Sequence, residues 1–129
     1  MTKENLNILL VDDEIDLIEI YEYTIKRKYK NAKIYKSFDG EEALNIIKAN
    51  QIDILLTDQT MPKLDGISLI KKVLELDMKL VPPLILLSSG QVNIRFDLEN
   101  CLKEKIKMLD KPFDEEDLFT LIEKSFPAL

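Results

Sequence analysis

The chain has no histidine, no tryptophan and a single cysteine among its 129 residues. Without histidine there is no Ser-His-Asp triad, no imidazole general base and no imidazole metal ligand. One cysteine can make neither an internal disulfide nor a multi-cysteine zinc site, and left unpaired it suits a reducing compartment. An excess of positive charge is also lacking: 18 Lys and Arg stand against 24 Asp and Glu, a net charge of −6. Nucleic-acid backbones demand clustered positive charge, so no direct nucleic-acid contact is expected. No apolar run approaches the roughly 18 residues of a membrane span. Leu6–Val11 is too short for a signal-peptide core and runs straight into two aspartates. These absences predict a cytoplasmic protein without membrane attachment. What remains for chemistry is carboxylates, lysines, hydroxyls and a hard cation held by oxygen.

What is present is an ordinary globular composition. Hydrophobic residues make up 46% and charged residues 33%, too apolar a balance for disorder. The length predicts one domain over residues 1–129, with no linker and no effector domain. Short apolar runs alternate with helical periodicity. Asn7–Val11 reads as a strand, followed by a helix from Glu14 to about Tyr29 with Ile18, Tyr21, Ile25 and Tyr29 in phase. The tyrosines are expected to pack in the core and at its rim. Lys33–Phe38 alternates as a short strand, and Asp39 with Glu42 three residues on signals a capped helix start. Ile52–Thr57 is a third strand, the Pro62-containing stretch 58–65 a loop, and Ile67, Ile70, Val73 and Leu74 mark a helix. Leu84–Leu87 is a fourth strand, closed by Ser88, Ser89 and Gly90. The stretch Val92–Lys103 fits both periods, and element order favours a helix in which Cys101 packs inward. Ile106–Leu109 is a fifth strand, and Asp114 caps a helix bearing Leu118, Leu121, Ile122 and Phe126. Five strand–helix units with mostly continuous apolar strands predict an α/β chain, (βα)5, with a parallel sheet covered on both faces.

Ligands of such sheets bind beyond the carboxyl ends of the strands. After the first strand come Asp12 and Asp13, after the third Asp58, after the fourth Ser88 and Ser89, and after the fifth Lys111. Taken singly, the acidic pair would read as a helix cap, Asp58 as a turn residue and either serine as a strand end. Taken jointly, three carboxylates converge with an ammonium and a hydroxyl. Like charges so placed repel, and a divalent cation with oxygen ligands, Mg²⁺ or Mn²⁺, relieves them. Metal, carboxylate, ammonium and hydroxyl are the parts that handle a phosphoryl group.

The motifs at these positions are Val11-Asp12-Asp13-Glu14, Leu56-Thr57-Asp58-Gln59-Thr60-Met61-Pro62, Leu64-Asp65-Gly66, Ile85-Leu86-Leu87-Ser88-Ser89-Gly90 and Leu109-Asp110-Lys111-Pro112-Phe113. As an ordered set they resemble the receiver domain of bacterial two-component response regulators, over about residues 5–126. The resemblance implies a flavodoxin-like fold with strand order 2-1-3-4-5. It implies that Asp58 accepts a phosphoryl group from a partner's phosphohistidine. Asp13 would ligate Mg²⁺ directly, Asp12 mainly through water, and the backbone carbonyl of Thr60 would complete the protein ligands with Asp58. Ser88 would contact the phosphoryl oxygens and act as a switch, and Lys111 would neutralise them. Pro112 would follow Lys111 through a cis bond. Where the family usually carries Tyr or Phe, three residues before the lysine, this chain has Met108. A core-filling role there competes with a switch role.

The resemblance also implies partners: a sensor histidine kinase or histidine phosphotransfer protein upstream and a protein effector downstream. The chain would be a monomer or a weak dimer through the face of its fourth helix, fifth strand and fifth helix. It would assist its own phosphorylation and dephosphorylation without turning over an external substrate. A receiver fragment of a longer DNA-binding regulator is one alternative. A small Mg²⁺-dependent phosphohydrolase is another, but Thr60 stands where such an enzyme would benefit from a carboxylic acid. A receiver that binds no phosphate is a third, against which all five site positions speak.

Overall fold

Leucine, isoleucine and valine fill the short runs of this chain, and burying one such side chain is worth about 1.5–3 kcal/mol. In a strand, successive side chains face opposite ways, so a continuous apolar run must be covered on both sides. The computed structural model, which describes residues 5–90 and 105–127, has that architecture. Its strands are β1 (Asn7–Val11), β2 (Lys33–Ser37), β3 (Ile54–Asp58), β4 (Leu84–Ser89) and β5 (Ile106–Asp110). Its helices are α1 (Ile15–Lys28), α2 (Gly40–Ala49), α3 (Gly66–Leu74) and α4 (Glu115–Ser125), with one 3₁₀ turn at Met78–Leu80. The strands pair in parallel in the order β2-β1-β3-β4-β5, the flavodoxin-like arrangement.

The two faces of the sheet separate by residue parity. Ile8 and Leu10 of β1, Ile54 and Leu56 of β3, and Leu84 and Leu86 of β4 pack with Ile18 and Ile25 of α1 and Leu118 and Ile122 of α4. Leu9 and Val11, Leu55, and Ile85 and Leu87 pack with Ala43 and Ile47 of α2 and Leu69, Ile70 and Val73 of α3. The even-numbered residues of β1, β3 and β4 thus face α1 and α4, and the odd-numbered ones face α2 and α3. Among the described residues two ion pairs, Arg27–Glu115 and Lys28–Glu123, tie α1 to α4 along the outside.

Local chemistry sets the helix starts. Asp39 accepts from the Glu42 N–H at 2.8 Å, as the sequence predicts. Asp65 does the same for Ser68 at 2.8 Å. At α4 the cap is reciprocal, with Asp114 and Asp117 each taking the other's backbone N–H.

Some expected boundaries move. Ser88 and Ser89 belong to β4 rather than closing it, because they keep pairing with Leu109 and Asp110. The third strand begins at Ile54 and continues through Asp58. Phe38 lies beyond β2 and is 39% exposed. The helix expected over 92–103, with Cys101, lies outside the described residues. No helix among the described residues is long and apolar enough to cross a membrane.

Candidate functional site

The inward rows of the sheet do not stop at its carboxyl edge. Extending each even row of the first, third and fourth strands by one step leads from Leu10 to Asp12, from Leu56 to Asp58 and from Leu86 to Ser88. On β5 the step from Leu109 leads to Lys111. Four polar side chains therefore stand on the α1–α4 side of one edge, where the apolar rows would otherwise continue.

Each is fixed by its own strand. Asp12 is 2% exposed, and its backbone N–H donates to Ser37 of β2 at 3.1 Å. Its carboxylate accepts from the Glu14 N–H at 2.9 Å, and α1 is N-capped by Glu14 without a side-chain bond. The acidic pair is thus not the cap of α1. Asp58 is the last residue of β3, in register with Ser88 of β4. Lys111 follows β5, and its N–H donates to the Ser89 carbonyl at 2.8 Å. The Lys111–Pro112 peptide bond is cis.

Carboxylate oxygens of Asp12, Asp13 and Asp58 all lie within 4.8 Å of one another. The Lys111 ammonium reaches Asp58 at 3.1 Å and Asp12 at 3.5 Å. Burial pushes the Asp12 carboxyl above its ordinary pKa, against the pull of the Glu14 N–H and the Lys111 charge. For Lys111 burial works to lower the pKa, but its hydrogen bond to Asp58 and the charge of Asp12 outweigh it, and the ammonium is held above its ordinary value. One ammonium thus faces three carboxylates. A divalent cation suits that surplus, and an all-oxygen donor set suits a hard ion.

Ser88 is 2% exposed, and among the described residues its hydroxyl has no hydrogen-bond partner. A buried hydroxyl without a partner costs about 1–3 kcal/mol, so a site that keeps one beside a carboxylate is built for something that arrives with oxygen. Ser89, on the opposite row, does have a partner.

The structure therefore brings together Asp12, Asp13, Asp58 and Lys111, with Ser88 in register beside Asp58. Thr60 is exposed in the loop that follows β3. Met108 is in register with Leu87 rather than Ser88 and is 37% exposed, so it fills no gap in the core.

Three neighbours of the site had no site role in the sequence pattern. Gln59 follows Asp58 and straps it to two elements: its N–H donates to Ser88 O at 3.1 Å, its carbonyl accepts from Gly66 at 2.9 Å, and its side chain accepts from Ile67 at 2.8 Å. Gly66 opens α3 directly against the Asp58 carbonyl. Tyr21 of α1 stacks on Phe113, with ring centroids 5.4 Å apart. Each depends on a tertiary approach, and the only local hint was a glycine after Asp65.

Comparisons with known proteins bear on the family and the fold. The family model described as the response regulator receiver domain matches residues 8–123. Response regulator GtcR of Aneurinibacillus migulanus is 38% identical over 82 residues, covering 64% of this chain and 32% of that protein. Response regulator receiver protein CpdR of Brucella abortus is 30% identical over 122 residues, covering 94% of this chain and 97% of that protein. The chain spans about a third or less of the length of several other curated relatives that it matches. In fold it is similar to the receiver domain of sensor histidine kinase PA1611 from Pseudomonas aeruginosa, with a TM-score of 0.78 and 22% identity over 95% of this chain and 98% of that one. That structure has a magnesium ion coordinated in its active site cleft.

Proposed function

The chain belongs to the response regulator receiver domain family, and from that premise we infer that Asp58 is its phosphoacceptor. Receiver domains are signalling modules of two-component systems rather than turnover enzymes. The observation that carries the site assignment is the gathering of three carboxylates within 4.8 Å, with Lys111 at 3.1 Å from Asp58 and the partnerless Ser88 hydroxyl in the adjacent register position.

In this reading an Asp58 carboxylate oxygen attacks phosphorus in line. A P–O bond forms as the P–N bond to a partner's imidazole breaks, and the departing imidazole takes a proton. The negative charge that spreads over the phosphoryl oxygens is met by the Lys111 ammonium and the Ser88 hydroxyl, both held in place by neighbouring strands. Asp12, Asp13 and Asp58, with the Thr60 carbonyl, would hold Mg²⁺, which supplies further positive charge to those oxygens. The product is an acyl phosphate, from which water later releases inorganic phosphate. The Ser88 hydroxyl gains an acceptor when the phosphoryl group arrives, which biases the carboxyl end of β4 toward one of two states. Met108, exposed on β5, would carry that change to the surface where a downstream protein docks.

The upstream partner must supply the phosphohistidine, because this chain has no histidine. A cytoplasmic location fits such a partner. CpdR, matched over nearly its whole length, exemplifies a receiver that stands alone. The longer relatives favour the second reading, a receiver joined to an output domain. The length of the open reading frame separates the two.

Incubation with Mg²⁺ and a small phosphoramidate, followed by intact mass measurement, should add one phosphoryl group per chain. Asp58→Asn should abolish the addition. Persistent addition in that variant would refute the assignment of Asp58.

A further inference from the structure

A lysine stem is four flexible carbons long, and freezing it costs much of its rotamer freedom. Lys111 nevertheless reaches two carboxylates at 3.1 and 3.5 Å. What aims it must lie in the backbone from which it projects. Upstream, its N–H is anchored to Ser89 of β4 at 2.8 Å. Downstream, the capping box of Asp114 fixes the start of α4. Between these anchors stand Pro112 and Phe113, which have no ladder to join. The contact there is a ring stack: Phe113 lies on Tyr21 with centroids 5.4 Å apart and planes 22° from parallel. Both rings pack against the α1–α4 core. Tyr21 also lies close enough to Lys111, Asp12 and Asp58 to feel all three charges. The stack therefore joins α1 to the turn that carries the lysine, beside the acidic cluster itself.

We propose that Tyr21 is a positioning residue for Lys111, acting through its stack on Phe113 to hold the ammonium against Asp58 and Asp12. The proposal rests on the role given above to Lys111. Offset aromatic pairs stabilise beyond their buried area, enough to select one placement of a three-residue turn. The aromatic ring, not the hydroxyl, is the working part.

Three variants separate positioning from stability: Tyr21→Phe keeps the stack, while Tyr21→Leu and Phe113→Leu remove it from either side. The first readout needs no metal and no phosphoryl donor. The protein is exposed briefly to an amine-acetylating reagent in EDTA, and the labelling of Lys111 is compared with that of Lys36 by peptide mass spectrometry. Lys36 of β2 pairs with Glu22 rather than with the acidic cluster and serves as the internal control. Labelling of Lys111 relative to Lys36 should rise about five-fold in the two leucine variants and stay near the starting value in Tyr21→Phe. The second readout is Mg²⁺ affinity by calorimetry. A released Lys111 no longer competes for the carboxylates, so Mg²⁺ should bind about three-fold more tightly in Tyr21→Leu. Phosphorylation by a phosphoramidate should meanwhile slow about ten-fold. General loosening would expose both lysines alike and weaken the metal site, so it cannot imitate this pattern. Unchanged Lys111 labelling and unchanged Mg²⁺ affinity in folded Tyr21→Leu and Phe113→Leu would overturn the proposal. The lysine footprint does not depend on Asp58 accepting a phosphoryl group, so that result would leave the phosphoacceptor reading standing.

Discussion

Gly66 is the point where the fold presses hardest on the site, and replacing it with alanine tests both together. A Cβ at this position would stand 2.5 Å from the Asp58 carbonyl oxygen, 2.7 Å from Leu87 Cδ1 and 3.0 Å from Gln59 Cα. The first of these is about 1 Å short of ordinary contact. The Leu87 methyl can turn away, but the other two atoms are backbone and move only if β3 and α3 separate. Such overpacking costs about 1–3 kcal/mol. Alanine recovers at most about 1 kcal/mol of helix propensity, and less at the first residue of a helix. The expected net loss is about 2 kcal/mol. In urea unfolding followed by far-UV circular dichroism, the midpoint should fall by about 1 M with little change in slope. The displaced group is the backbone of Asp58, whose carboxylate must meet Lys111 at 3.1 Å. Phosphorylation of the fully folded variant should therefore also slow, by about ten-fold. Gly90→Ala is the control: among the described residues nothing lies within 4 Å of its Cβ position, and stability should stay within about 0.5 kcal/mol. A Gly66→Ala protein with an unshifted midpoint and an undiminished phosphorylation rate would refute the claim that α3 is seated directly on Asp58.

Two further perturbations probe the site's charge and its loop. Burial raises the Asp12 pKa above 3.8, so the folded state holds that proton more tightly than the unfolded chain and loses stability as pH climbs from 3.8 through the raised value. Asp12→Asn removes this term; in EDTA at pH 7 it should be more stable than the parent, and saturating Mg²⁺ should reverse that order. Urea titrations at pH 4 and pH 7, with and without Mg²⁺, measure both effects, and an asparagine variant less stable in EDTA at pH 7 would contradict the reasoning. In the loop after β3, Lys63 adopts a left-handed φ of 68°, which costs a non-glycine residue about 1–2 kcal/mol. Its ion pair with Asp39 is long, at 3.7 Å, and the lysine is 61% exposed, so little is lost with it. Lys63→Gly should raise the melting temperature by about 2–4 °C; a lower value would show that the ion pair outweighs the strain.

Much of the site was legible because it obeys the period of the strands that carry it. Asp12, Asp58 and Ser88 each stand two residues past a leucine of the same row, Leu10, Leu56 and Leu86. A doubly covered sheet makes every strand an apolar run, so the first polar residue in phase marks the edge. The same parity separates Ser88, whose hydroxyl has no partner among the described residues, from Ser89 on the opposite row. Composition misled at that spot, since two serines and a glycine look like a loop. Pairing of β4 with β5 keeps both serines in the sheet and buries them.

The residues that aim the site were hidden for a different reason. Tyr21 and Phe113 meet across 92 positions, and helical spacing on α1 assigned Tyr21 only to the core side. Gln59 caps α3 from eight residues away, at a distance where no capping pattern is local. Gly66 matters for the space it leaves, and no pattern within one segment shows which atom of another will fill it. Chemistry that accepts charge can be found by residue type and parity, because carboxylates, ammonium and hydroxyl are scarce at sheet edges. Groups that position the chemistry are ordinary core residues, and only the contact distinguishes them. A substitution that spares every charged group and still frees Lys111 would therefore be the sharpest evidence that this receiver's activity is set as much by Tyr21 and Phe113 as by its aspartates.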